Sequence, residues 1–120
     1  EVPEGDFLST VGSGIAEGHV ALSGATPSAD LSSAGSFELT LSGNTTVSFA
    51  NPPASGTCGF SFAVTQDGGA SGFTVTWPAG VKWPDGTAPD LAADAGKTDV
   101  FVFSTSDGTS YTGMSAGKNI

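Results

Sequence analysis

From His19 onward, apolar and polar residues alternate in short runs, broken by Gly, Asn, Asp and Pro roughly every eight to twelve residues, the spacing of a β-sandwich or barrel. A period of two sends successive side chains to opposite faces of a strand, so each run is a predicted strand with one wet face. Phe37, Leu39 and Leu41 alternate with Glu38, Thr40 and Ser42, and a second run spans Thr45 to Ala50. Gly43-Asn44 between them supplies turn chemistry, which predicts a tight hairpin. Pro52 and Pro53 then interrupt the sheet, because neither can donate to a ladder.

Cys58 to Gln66 carries Phe60, Phe62 and Val64 on one face, and Gly72 to Trp77 repeats the alternation with Phe73, Val75 and Trp77. With Asp67-Gly68-Gly69 between them, these two are expected to pair as antiparallel neighbours. Val81 to Pro89, with Trp83, two prolines and Asp85-Gly86, reads as an excursion that closes one end of the sheet. In Thr98 to Thr105 the apolar residues Val100, Phe101, Val102 and Phe103 are contiguous, which marks a central strand or one that also meets another chain. Asp107-Gly108 turns it into Thr109 to Ser115.

Residues 1–18 have no period strong enough to name an element, and they are expected to be an extended arm or linker ahead of a domain over 19–120. Phe7, Leu8, Val11 and Ile15 have a rough helical spacing suited to ordering against a partner chain. The predicted architecture is all-β: an antiparallel, jelly-roll-like β-sandwich with an N-terminal arm. Eighteen glycines and seven prolines agree, since both residue types disfavour helices.

Net charge is −9, from twelve acidic residues against Lys82, Lys97 and Lys118, with no arginine. Such a chain lacks what phosphate neutralisation requires, so neither nucleic-acid binding nor attraction to an anionic membrane is expected. No apolar run approaches the length of a membrane span, which argues against membrane insertion. The acidic start at Glu1 is the opposite of a signal-peptide n-region. Cys58 is the only cysteine and His19 the only histidine, so the sequence provides no intrachain disulfide and no Cys/His metal set.

The string TQDGGASGFTVTWPAGVKWPDGTAP at 65–89 is distinctive. DVFVF at 99–103, Asp107-Gly108, Tyr111-Thr112-Gly113 and Ala116-Gly117-Lys118 follow it in order. Together these resemble a β-rich domain of bacteriophage tail-fibre and other virion proteins, over about the last two thirds of the chain. Similar sequences often place Trp before the tyrosine, where this chain has Ser110, and Asp after Ala-Gly-Lys, where it has Asn119. The resemblance implies a virion location and a structural role, commonly as a homotrimer in contact with other tail or capsid proteins. It brings no catalytic or ligand residues.

The candidate chemistry is sparse. A nucleophilic triad would have to join His19 to one of many serines without a nucleophile-elbow pattern. Asp85, Asp90, Asp94 and Asp99 could be paired carboxylates of a glycosidase, but most adjoin Gly, Pro or Ala and read as solvated loop formers. The Asp-Gly pairs follow neither EF-hand nor β-roll spacing, so no metal and no cofactor is expected. Asn44-Thr45-Thr46 is a formal glycosylation acceptor that a phage setting makes irrelevant.

Trp77, Trp83 and Tyr111 could offer a stacking platform for sugars. Trp77 fits a core face, so the ligand-contact candidates are Trp83, Lys82 and Tyr111, with Trp83 as the exposed anchor. Phe101, Phe103, Phe7 and Val11 are the candidate subunit-interface residues. The expected function is non-enzymatic display and host attachment by a tail-fibre module, with capsid decoration and a carbohydrate-binding module as rivals.

Overall fold

The structure, a computed structural model, describes residues 18–53 and 57–120. The expected arm lies outside the described residues except for Gly18, and Phe7 and Val11 lie outside them too. The strands are β1 His19–Leu22, β2 Ser28–Asp30, β3 Ser36–Thr40, β4 Thr45–Thr46, β5 Ser48–Ala50, β6 Cys58–Thr65, β7 Val75–Thr76, β8 Val81–Lys82, β9 Thr98–Thr105 and β10 Tyr111–Gly117. The protein is all-β, and a single 3-10 turn at Pro84–Gly86 is the only helical element among the described residues.

Six strands form one sheet in the order β1-β3-β6-β9-β10-β8. β1, β3 and β6 run parallel, β9 is antiparallel to both β6 and β10, and β8 lies parallel to β10 at the edge. The sheet is therefore mixed, and the expectation of purely antiparallel pairing is corrected.

The short strands explain why. β4 and β5 form one extended run interrupted only at Val47. On one side the N–H groups of Thr45 and Val47 donate to the carbonyls of Thr74 and Thr76 at 2.9 Å each. On the other, Thr46 and Ser48 donate to Ala25 and Pro27 at 2.8 and 3.1 Å. The run thus lies between β2 and β7, parallel to both. Three times the chain leaves the large sheet for the short strands, from β1 to β2, β3 to β4 and β5, and β6 to β7. Each winding lies parallel to the last, as expected when about a dozen or more residues cross over between sheet neighbours.

This winding overturns two local expectations. The runs at 36–42 and 45–50 do not form a hairpin, because Gly43-Asn44 carries the chain from the sheet to the short strands and neither residue takes a positive φ. Nor do 58–66 and 72–77 pair. β6 lies between β3 and β9, while β7 pairs with β4. The Asp107-Gly108 hairpin does form and joins β9 to β10, with Gly108 at φ 73.

On the inner face of the sheet, register aligns Val20, Phe37, Phe62 and Phe101 in one row, and Phe60, Phe103 and Gly113 in another. From the short strands, Phe49 packs on Phe60, Phe103 and Tyr111 with ring centroids 4.9 to 5.2 Å apart. Trp77 meets Phe62, Phe101 and Phe103 at 5.1 to 5.3 Å. Such pairs add about 0.5–1.5 kcal/mol each beyond area burial, so this cluster binds the short strands to the sheet. Phe101 and Phe103 are 0% exposed, so the outward side of β9 is Val100 and Val102, and the interface expected at the two phenylalanines is corrected accordingly.

Candidate functional site

Trp83 follows β8, where alternation turns Val81 and Trp83 inward and leaves Lys82 exposed on the opposite face. Pro84 presets the first corner of a type II turn and Asp85 takes the required positive φ of 59, closed by the Gly86 N–H donating to the Trp83 carbonyl at 2.9 Å. That geometry holds the indole against Trp77, Phe101 and Phe103, with centroids 6.0, 6.0 and 5.6 Å away. Gly113 makes the fit possible: a Cβ there would lie 2.8 Å from Trp83 and 2.9 Å from Phe103.

Trp83 is therefore a half-buried fastener of the core, not an exposed platform. Tyr111 is buried against Phe49 and Phe60, and burial pushes its hydroxyl above the ordinary 10.0. Lys82 lies on the other side of the sheet. The structure does not gather Trp83, Lys82 and Tyr111 into one surface.

Three buried polar residues, missed in the sequence, organise the loops. The Gln66 amide nitrogen donates to the carbonyls of Phe73 and Ala92, each at 3.1 Å, and its oxygen accepts from the N–H groups of Phe73 and Asp67. Asp99 sits in the inward row of Leu22, Leu39 and Val64, and its carboxylate accepts the N–H of Ala92 at 2.8 Å and of Asn119 at 2.7 Å. It is 2% exposed, which corrects its expected place in a solvated loop, whereas Asp85, Asp90 and Asp94 are exposed. The Thr105 hydroxyl donates to the Ser110 carbonyl at 2.8 Å and accepts from the Gly108 N–H at 2.9 Å. Alternation flags an inward polar residue only once the register is known, so sequence alone does not mark these three.

Asp67 and Asp107 serve turns. The Ser71 hydroxyl and N–H hold the Asp67 carboxyl below its usual range, and the Ser110 and Thr109 N–H groups do the same for Asp107. Among the described residues, no group of three or more His, Cys, Asp or Glu is placed to hold a metal ion.

A groove of about 280 Å³ runs between residues 72–75 and 88–93, lined by Phe73, Val75, Pro89 and Leu91. Gln66 fastens its two walls and thereby uses its own polar atoms. Asp90 is the one ionisable lining residue, and Lys118 binds its carbonyl rather than its carboxylate. Its walls also carry Thr74, whose hydroxyl donates to Asn44 Oδ1 at 3.3 Å.

His19 does find a serine and a carboxylate. Its Nδ1 lies 2.8 Å from Ser36 Oγ, and its Nε2 is 3.5 Å from Glu38 Oε1. That contact pattern is what a hydrolytic triad needs, but the setting is not. The His19 and Glu38 side chains are more than half exposed, on the outer face of the sheet, and neither lines the groove. The N–H groups of Gly35 and Ser36, nearest in the chain to the hydroxyl, both donate to the Gly18 carbonyl, which leaves neither for an oxyanion.

No family model matches the chain, and no curated protein or solved structure matches it either.

Proposed function

We propose that the chain is a non-enzymatic structural module of a bacteriophage particle, part of a tail fibre or related appendage that displays loops and attaches to the host surface. In this reading the chain is a two-layered sandwich assembled as a homotrimer on the virion. Phe49 and Trp77, which pack from the short strands onto the six-stranded sheet, support the two layers. The parallel ladders depart from the antiparallel pairing of a jelly roll.

One observation carries the reading. The residues behind the resemblance are used to fasten the fold: Trp77 and Trp83 in the aromatic cluster, Pro84-Asp85-Gly86 in the turn that aims Trp83, and Gly113 in the gap it fills. Gln66 and Asp99 of the same segments clip the loops. Such a use of these residues supports a scaffold reading over a catalytic one.

The test is immunogold labelling of purified particles of the phage that carries the gene, with antibody to this chain. Label on a tail appendage is expected. Label on the head moves the assignment to capsid decoration, and unlabelled particles overturn the virion reading. Hydrolysis of p-nitrophenyl acetate above the level of Ser36→Ala would overturn the non-enzymatic part.

A further inference from the structure

We infer that the outer face of the six-stranded sheet, centred on Val102 and Met114, is the surface by which copies of this chain associate. The inference rests on the proposed function only in taking identical copies to assemble on a particle.

The register assigns the face row by row. His19, Ser36, Ser61, Val102 and Met114 lie side by side across five strands. The next row is Ala21, Glu38, Ala63, Val100 and Gly117, and Ile120 folds back over Gly117 towards Val100. A third row is Thr40, Thr65 and Thr98, and a fourth is Gly59, Ser104, Thr112 and Lys82. Val102, Met114 and Ile120 are 38%, 50% and 65% exposed, and they are the exposed large hydrophobic residues among those described. All three fall on this one face.

Charge selects the occupant. Asp30, Asp67, Asp85, Asp90, Asp94 and Asp107 occupy strand ends, turns and loops, and Asp99 is buried. Glu38 is the only acid in the four rows, opposed by Lys82 in the same sheet and with His19 3.5 Å away. A chain of net charge −9 thus presents, among the described residues, one sheet face that is nearly neutral, made of small residues with an apolar centre. Two such chains meeting at the acidic turns and loops would bring like charges together, whereas this face admits a second copy with little of that repulsion. Small side chains also allow sheets to approach to the usual spacing of about 10 Å.

Sedimentation velocity of the full chain tests this. The wild type is expected to self-associate at micromolar concentration. Because the apolar contact works against the overall negative charge, raising NaCl from about 0.05 to about 0.5 M should tighten association several-fold. Val102→Asp with Met114→Asp should weaken it by about 100-fold or more, and Met114→Asp alone by about 10-fold, while the near-UV circular dichroism stays native. The same charge added in the β9–β10 turn, Ser106→Asp, should change it less than about twofold.

A wild type that stays strictly monomeric at about 100 μM overturns the inference, whether the face is open or occupied by residues 1–17 of the same molecule. So does a Ser106→Asp loss as large as that of the double variant. Labelled particles with a monomeric chain would defeat this inference and the homotrimer while the virion location stands, and self-association of a chain absent from particles would defeat the virion reading alone.

Discussion

The windings of residues 18–77 and the hairpin of residues 98–117 share one sheet but are held together differently. In the windings, each strand pairs with one that arrives only after the chain has visited the short strands, so no short turn fixes register. Register comes instead from the inward rows, where Phe37 stacks on Phe62 with centroids 5.9 Å apart. In the hairpin, the turn itself fixes register: Asp107 accepts from the N–H groups of Thr109 and Ser110, both at 2.8 Å, and Thr105 ties back to Gly108 and Ser110. One region depends on packing and the other on local hydrogen bonds reinforced by packing. The seam is β6 against β9, where Trp77 from the windings and Trp83 from the hairpin side converge on Phe101 and Phe103.

Phe62→Ala should have the largest effect. The side chain is fully buried at the seam, touching Phe37 and Trp77, and its loss should cost about 3–5 kcal/mol by urea denaturation. The whole protein should still melt in one transition. Two separate transitions would show that windings and hairpin fold independently.

Gly113→Val comes next. The added Cβ meets Trp83 and Phe103 below 3.0 Å, so the indole must move, at a cost of about 1–3 kcal/mol and with a red shift in tryptophan emission. Unchanged emission would mean that Trp83 does not lie over Gly113.

Asp99→Ala leaves the N–H groups of Ala92 and Asn119 without their acceptor, for a loss of about 1–2 kcal/mol because the loops at both sites can admit some water. Faster amide exchange should be confined to those loops and spare the windings. Asp99→Asn should recover part of the loss, since its one oxygen can still accept.

The smallest effect concerns acid. Asp30, Asp67 and Asp107 are held below their ordinary 3.8 by hydrogen bonds, from the Ser32 hydroxyl first, the Ser71 hydroxyl first and the Ser110 N–H first. A folded-state pKa below the unfolded one gives stability that is fully present above the unfolded value and is lost as pH falls through the folded value. Stability from these groups should be flat near neutrality and decline below their ordinary 3.8. Asp107→Ala should flatten that decline for the hairpin turn, as followed by denaturant midpoints on lowering pH.

The same contrast explains how much the sequence discloses. The hairpin was legible because Asp107-Gly108 carries its pairing within a few residues, and the Phe60, Phe62 and Val64 alternation predicted one face of β6 correctly. Parallel partners leave no such local mark. Gly43-Asn44 satisfied the pattern of a hairpin turn, yet Asn44 Oδ1 accepts the Thr74 N–H at 3.0 Å, a partner thirty residues away. Asp99 looked like loop chemistry because the run Asp-Val-Phe-Val-Phe hides which side is inward. Trp83 looked exposed because Gly113, the residue that makes room for it, belongs to another strand.

A nuclear Overhauser spectrum of the full chain tests whether Trp77 and Trp83 fasten the windings to the hairpin. The Trp83 ring should show cross-peaks to the Gly113 Hα protons and to the Phe103 ring, with those Hα resonances displaced by the indole ring current. A Trp83 ring without such cross-peaks, with Gly113 at unperturbed shifts, would contradict it.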